Sequence, residues 1–202
     1  MPIDAKSVNT IVESVNYPGV SAYLFTDKRQ IEPIKELIKK ANTIQFRDCA
    51  FVNELMNWVR FNKKELEKHS DGLAYSSLGM PAVPRWLGKL LMTKIITPEI
   101  EAKRLDRIIA SSSGLMVFTV KGNNAETWVQ LGRAYQRVAL MLTETGIKHA
   151  HLNMPCEVPS VRQELAKLLG FDNEIPLLLL RIGFGKEMPR SPRRELSSMV
   201  SI

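Results

Sequence analysis

The sequence predicts an α/β or α+β layered fold in which helices cover the faces of a sheet and a long buried helix lies at the centre. Two observations lead to this prediction. From residue 114 onward the pattern alternates strand, long helix, strand, helix and strand. The long helical segment also contains Val138–Leu142, which is apolar nearly all round and therefore indicates deep burial. The 202 residues suit one domain spanning residues 1–202, with two small domains as the alternative.

The first half of the chain predicts a strand and several helices separated by turn signals. Apolar residues at strand or helix spacing, and capping residues before the helices, carry these predictions. In chain order, the segments are a turn at 17–19, a strand at 20–25, a helix at about 26–41 capped by Thr26-Asp27, a helix at about 49–61, an irregular stretch at 76–84, a helix or apolar flap around 86–91, and a helix that starts at Thr97-Pro98-Glu99.

The second half is more sharply patterned. Its first strand is almost continuously apolar, which indicates that both of its faces are covered. The predicted segments are a strand at 115–120, a turn at 121–124, a helix at about 125–145 with Gly146 as C-cap, a strand at 148–153, a helix capped by Ser160 with Gln163 three residues on and ending at Gly170, and an apolar strand at 176–182.

Charge and composition indicate an ordinary globular protein. The chain carries 28 basic and 21 acidic residues, a formal net charge of +7. This charge suits phosphate-bearing cofactors. It also leaves open a basic module that binds nucleic acid, although no helix carries a basic stripe interleaved with aromatic residues. No apolar run is long enough to span a bilayer, and the two cysteines lie outside pair motifs, so we expect a cytoplasmic protein.

Few side chains suggest catalysis or metal binding. His149 and His151 lie two apart on a predicted strand and so face the same side. No third metal ligand is suggested, so we expect a packing or hydrogen-bonding role and no metal. Cys156 lies in a predicted loop and could be exposed, but a nucleophilic role needs a base that the sequence does not assign. Both Cys49 and Cys156 are expected to be packing residues, and no catalytic residue is named.

A compact basic segment follows the last apolar strand. Within Met188–Leu196, three arginines (Arg190, Arg193 and Arg194) lie beside Ser191 and two prolines. Guanidinium groups bind phosphate oxygens through paired, charge-assisted hydrogen bonds, and prolines reduce the entropy that is lost on binding. The segment therefore fits a phosphate clamp, with a solvated basic tail as the alternative.

Several motifs resemble the FMN-dependent nitroreductase family, specifically its Acg-like branch. The resemblance covers about the last three quarters of the chain, and its closing block is the most specific part. The matching segments are Phe51–Arg60 followed by Asp71-Gly72-Leu73, then Trp128–Arg137, Thr143–Ile147, Leu152–Pro155, Leu180–Phe184 and Pro189–Arg194.

This resemblance implies an FMN-binding oxidoreductase that uses NAD(P)H to reduce nitroaromatic or quinone-like acceptors, as a homodimer or with a partner half. It also implies an α+β layered fold of the nitroreductase type, with a mixed sheet flanked by helices around a long buried central helix. Within this fold, residues 1–110 would form a helical or irregular part with a possible lid, and residues 111–202 a flavin-binding core. The residues implied to approach the FMN phosphate are Arg190, Ser191, Arg193 and Arg194, and those implied to pass close to the flavin ring are His151, Leu152, Asn153 and Met154.

The chain also departs from the family pattern. Members normally begin with an arginine-rich helix of the type Arg-x-Ser-x-Arg and later carry a Pro-Ser-x-x-Asn-x-Gln-Pro-Trp-like segment, and this sequence contains neither. By motif content the chain resembles the C-terminal portion of such a protein. The alternative function is a non-catalytic or degenerate flavin-binding module that lacks the N-terminal half. A basic nucleic-acid module is the weaker alternative.

Overall fold

The computed structural model describes residues 2–95, 97–190, 194 and 196–200. Its helices and strands follow one another along the chain as α1 Ala5–Glu13, β1 Val20–Phe25, α2 Lys28–Arg47, α3 Cys49–Trp58, β2 Val59–Arg60, α4 Lys63–His69, β3 Leu73–Ala74, α5 Arg85–Ile95, α6 Pro98–Ala110, β4 Gly114–Val120, α7 Ala125–Glu144, β5 Lys148–His151, α8 Met154–Glu157, α9 Pro159–Leu169, β6 Ile175–Gly183 and a short 3₁₀ turn at Leu196–Ser198.

The chain forms two compact units. The first, here called the sheet unit, comprises Met1–Gln45 and Glu101–Gly185. The second, here called the helical unit, comprises Phe46–Ile100 and Lys186–Ile202. Within the described part of the chain, no helix combines the length and the apolar character that crossing a membrane requires.

The sheet unit is built on a four-stranded sheet with the order β1-β4-β6-β5. Every neighbouring pair in this sheet is antiparallel. Parallel pairing occurs only in the separate β2–β3 ladder among the described strands. The prediction of one mixed sheet is therefore wrong in this detail. Adjacent strands in the sheet unit run in opposite directions, which an apolar strand pattern alone does not reveal.

Strand β4 occupies the interior of the sheet because its two faces are both apolar. Met116 and Phe118 pack on one face with residues of α1 and α7. Leu115 and Val117 pack on the other face with residues of α2, α6 and α9. All four side chains are fully buried. Successive side chains of a strand point to opposite faces, so this one apolar run contributes to two cores. The prediction that both faces of this strand are covered is therefore confirmed.

Helix α7 is long, but only one of its faces is buried. Ala134, Val138 and Leu142 are fully buried, whereas Val129 and Leu140 are 62% and 59% exposed. In the single chain, the predicted deep burial of this helix therefore holds for one of its faces and not for the apolar residues on the other. The buried positions recur every four residues, so the apolar residues between them point to solvent in this chain.

Two helix starts differ from the sequence predictions. Helix α1 lies in a region that the sequence left unassigned, and it begins where Asp4 Oδ1 accepts the N–H of Ser7 at 2.9 Å. The predicted capping box at Ser160 is wrong, because Pro159 takes the first helical position and Val158 precedes it as N-cap without a side-chain bond. The predicted end of that helix at Gly170 is confirmed by its left-handed backbone, φ 69°.

The helical unit has a small core of its own. Val59 and Phe61 are fully buried and pack with Met92 of α5. Helix α4 begins at the cap Asn62, whose side chain accepts the N–H of Glu65 at 3.0 Å. Residues 76–84 contain neither helix nor strand, which confirms the predicted irregular stretch.

Candidate functional site

The turn between β5 and α8 contains the His151–Met154 segment that the sequence singled out. Leu152 is buried, and its backbone N–H donates to the carbonyl of Leu179 at 2.9 Å. The Asn153 side chain fixes the turn through both atoms of its amide group. Its Oδ1 accepts the N–H of Leu179 at 2.9 Å, and its Nδ2 donates to Glu157 Oε1 at 3.1 Å. These groups hold the backbone in place and are not themselves free for a ligand.

The backbone N–H of Asn153 is available to a ligand. Among the described residues it has no hydrogen-bond acceptor, while the Asn153 carbonyl accepts the N–H groups of Cys156 and Glu157 at 2.9 and 3.2 Å. Asn153 is only partly buried, so water or a ligand can reach it. A main-chain donor at a fixed turn gains free energy when an acceptor atom pairs with it. The turn can therefore present an N–H group to a bound acceptor.

A tyrosine and two histidines meet beside this turn. Tyr135 Oη lies 3.0 Å from His149 Nε2 and 3.2 Å from His151 Nε2. Burial raises the pKa of Tyr135. Burial, followed by the positive charge that His151 can carry, lowers the pKa of His149. The predicted hydrogen-bonding role of the histidines is confirmed, and Tyr135 is a member of this cluster that sequence reasoning did not single out.

Cys156 is a core residue. It is 3% exposed, and burial raises the pKa of its thiol to about 12. The expectation that Cys156 could be exposed is wrong, because the start of α8 turns it into the same core as Leu152. A thiol with this pKa is not a nucleophile at neutral pH. Cys49 is instead exposed, so the packing role predicted for both thiols holds for Cys156 alone.

The helical unit holds the C-terminal arginines. Arg190 is highly exposed, and its Nη2 lies 3.6 Å from Glu187 Oε1. Arg194 Nε donates to the carbonyl of Ser70 at 3.1 Å. Ser191 and Arg193 lie outside the described residues. Arg190 therefore keeps most of its donors free, whereas Arg194 uses one donor to fasten the C-terminal segment within its own unit.

The same unit contains a buried ion pair that the sequence did not predict. Arg60 is 6% exposed, and its Nη2 and Nε contact Asp71 Oδ1 at 2.7 and 3.1 Å. These hydrogen bonds lower the pKa of Asp71, and the charge of Arg194 acts in the same direction. A cavity of about 520 Å³ opens beside the pair, with Lys64 and Lys68 in its lining. This cavity is electropositive and suits an anionic ligand.

A second cavity in the helical unit is apolar. It measures about 460 Å³, and its lining includes Phe51, Leu55, Trp58 and Leu73. Trp58 is 46% exposed at this cavity. A flat apolar molecule would gain free energy by covering these side chains. No cluster of three or more histidine, cysteine, aspartate or glutamate side chains suited to a metal ion occurs within the described residues.

Comparison with known proteins identifies the fold. No protein-family model and no curated protein matches the sequence. Solved structures do match. The FMN-dependent nitroreductase NfnB from Mycobacterium smegmatis, in complex with NADPH, has a TM-score of 0.63 at 14% identity over 100% of this chain and 90% of its own. A nitroreductase with bound FMN from Bacteroides fragilis NCTC 9343 has a TM-score of 0.56 at 14% identity, over 100% and 89%.

The chain has the nitroreductase fold. Iodotyrosine deiodinase bound to FMN and 3-iodo-L-tyrosine shares this fold, with a TM-score of 0.59 at 12% identity over 97% of this chain and 87% of its own. The predicted nitroreductase-like α+β fold is thereby confirmed. The motifs related the chain to the C-terminal portion of a longer protein, whereas the nitroreductase fold is shared over most of the length of each of these neighbours.

Proposed function

We propose that this protein is an FMN-binding oxidoreductase of the nitroreductase type, which uses NAD(P)H to reduce nitroaromatic or quinone-like acceptors. The observation that carries the proposal is the fold, shared from end to end of this chain with an FMN-dependent nitroreductase in complex with NADPH and with a nitroreductase that has FMN bound. The net charge of +7 fits the phosphate groups of both cofactors.

The residues of the sheet unit fit a flavin ring. The Asn153 N–H lacks an acceptor among the described residues, and flavin N5 and O4 are acceptor atoms. We infer that the backbone of His151, Leu152, Asn153 and Met154 lines the ring, with the Asn153 N–H as the hydrogen-bond donor. When bound, FMN would supply hydride transfer at N5. The chain's own contribution is to orient the ring through a backbone that Leu179 and Glu157 hold in place.

The C-terminal arginines fit a phosphate group. Arg190 is exposed, with only a 3.6 Å contact to Glu187, so it can exchange this partner for phosphate oxygens at little cost. We propose Arg190, Ser191, Arg193 and Arg194 as the phosphate-binding set. For Ser191 and Arg193 the proposal rests on the motif resemblance. Arg194 donates to Ser70 through Nε, so it would bind phosphate through its remaining guanidinium N–H groups.

A homodimer is part of the proposal. Trp128, Val129 and Leu140 on α7 are each more than half exposed in the single chain. Apolar side chains at this density on one helix favour burial against a second surface. A second copy of the chain would cover the face of α7 for which the sequence predicted burial. We place the protein in the cytoplasm, where its two free thiols would stay reduced.

The alternative is a flavin-binding module that does not turn over. One observation favours it. Helix α1 has the sequence AKSVNTIVE, which contains no arginine. In the nitroreductase family, the arginines of the first helix supply flavin contacts. Helix α1 of this chain lacks these arginines. A protein that binds FMN through fewer cations would hold it more weakly, and its catalysis would suffer accordingly.

NADH and NADPH oxidation by the FMN-loaded protein tests the proposal against this alternative. With menadione or nitrofurazone as acceptor, we expect oxidation well above that of free FMN at the same concentration. Arg190→Ala/Arg194→Ala should lose the activity together with the flavin, whereas Lys28→Ala, an exposed cation in the sheet unit, should retain both. Bound flavin with oxidation no faster than free FMN would reject the enzyme and support the non-catalytic module.

A further inference from the structure

The cluster of Tyr135, His149 and His151 brings three metal-ligating groups to one point. Both imidazole Nε2 atoms lie within 3.2 Å of Tyr135 Oη. The two histidines lie two residues apart along β5, so their side chains project from the same face of the strand. The sequence offered two imidazoles without a third ligand, and the packing of α7 against β5 supplies the phenol oxygen.

The cluster is open to a ligand from solvent. Among the described strands, β5 pairs only with β6 and therefore forms an edge of the sheet. His151 is exposed and His149 is half-buried. On α7, a Cβ placed on Gly132 would meet no atom within 4 Å, and Gly132 lies three residues before Tyr135, on the same side of the helix. The helix surface one turn before Tyr135 is therefore open.

We propose that His149, His151 and Tyr135 form a binding site for a divalent transition-metal ion that prefers imidazole ligands, namely Cu²⁺, Ni²⁺ or Zn²⁺. Neutral imidazole nitrogens are the preferred protein ligands of these ions, and a hard cation such as Mg²⁺ prefers an all-oxygen set. The two Nε2 atoms are direct ligands. The Tyr135 oxygen is the third ligand once the metal displaces the phenol proton, which is released to solvent, and water completes the coordination shell.

The adjustment that binding requires is small. Metal–nitrogen bonds are about 2.0–2.1 Å long, so both rings must move slightly toward a shared point in place of the Tyr135 hydrogen bonds. Tyr135 packs against the sheet-unit core and acts as the fixed member. His151 is exposed and can change its side-chain torsion angles without disturbing buried neighbours.

Isothermal titration of the purified full-length chain at pH 7.5 with CuCl₂, NiCl₂ and ZnCl₂ tests the proposal. We expect one ion per chain, with Cu²⁺ bound most tightly and MgCl₂ giving no heat. His149→Gln and His151→Gln should each weaken binding at least tenfold, and Tyr135→Phe should weaken it severalfold. The chain has three histidines, so His69→Gln in the helical unit is the matched control and should bind as the parent does.

Several outcomes would overturn the assignment. The first is that the parent protein binds none of the three ions. The others are an affinity that is unchanged in His149→Gln, His151→Gln or Tyr135→Phe, and a His69→Gln variant that weakens metal binding as much as these variants do. Circular dichroism and thermal unfolding of each variant separate loss of the site from loss of the fold. His151→Gln carries the most weight, because an exposed side chain can be replaced with little effect on folding. If His149→Gln fails to fold, an unweakened His151→Gln still refutes the proposal.

Discussion

Replacing Asn153 by alanine removes the two side-chain bonds that fix the turn after β5. Leu179 is fully buried, so its N–H loses its acceptor in an environment without water. A buried donor left unpaired costs about 1–3 kcal/mol. The bond to Glu157 is exposed and adds at most a few tenths of a kcal/mol. We therefore expect the free energy of unfolding to fall by about 2 kcal/mol, and Tm to fall by about 4–8 °C for a chain of this length.

Asn153→Asp is the matched comparison, because it keeps an oxygen for Leu179 while it places a second carboxylate near Glu157. Urea unfolding followed by circular dichroism should give a loss below about 1 kcal/mol for aspartate, as expected for one exposed like-charge contact. Both variants should also hold FMN less firmly, alanine more so, because the turn that presents the Asn153 N–H is looser. Equal stability of Asn153→Ala and the parent would refute the reasoning about Leu179.

Three further predictions concern the rest of the chain. Three hydroxyl groups donate to the carboxylate of Glu174 and, against the opposing effect of its burial, lower its pKa. The ionised Glu174 carboxylate therefore stabilises the fold at neutral pH, and this stabilisation is lost as the pH falls through the lowered pKa. Glu174→Gln should flatten the acid side of the curve of stability against pH, measured by thermal unfolding. Cys49 should react with Ellman's reagent at once in native protein, and Cys156 only after denaturation, since its pKa is about 12; a Cys49→Ser variant that still reacted rapidly would contradict this. Gly88→Ala should lower the free energy of unfolding by about 1–2 kcal/mol despite alanine's helix propensity, because its Cβ would lie 2.2 Å from the buried Phe61 ring, and urea titration would detect this loss.

Strands were the part of the fold that sequence patterns predicted best. Val20–Phe25 was predicted with the bounds that the structure has, and the apolar runs of β4 and β6 were placed within one or two residues. Each run is apolar enough that only a core strand accommodates it. Strand direction was not predictable, because it depends on which runs become neighbours, and antiparallel pairing joins segments far apart along the chain.

The sequence predicted the end of α9 and the proline start of α6, but it missed the proline start of α9 and the cap of α1. Gly170 ends α9 because its backbone adopts a left-handed conformation that other residues avoid. Ser160 resembled a cap, but the proline before it had already started the helix. Helix α1 depends on Asp4 as its cap, and the search for apolar periodicity did not weigh that signal.

The candidate site shows which information a sequence lacks. The motif His151–Met154 lies at the turn between β5 and α8, and only the structure distinguishes the Asn153 N–H from the Leu152 N–H, which is already paired. Tyr135 stood in a matching motif without any role, because its contacts with β5 depend on how α7 lies on the sheet. Long-range packing sets both features, and local spacing does not encode it.

The visible absorbance of the purified protein tests the central claim most directly. The spectrum is recorded after incubation with FMN and desalting, at a protein concentration known from its aromatic absorbance. We expect a retained flavin band near one FMN per chain, reduced in Arg190→Ala/Arg194→Ala and in Asn153→Ala. A protein that emerges colourless from desalting, although circular dichroism shows it to be folded, would contradict the account.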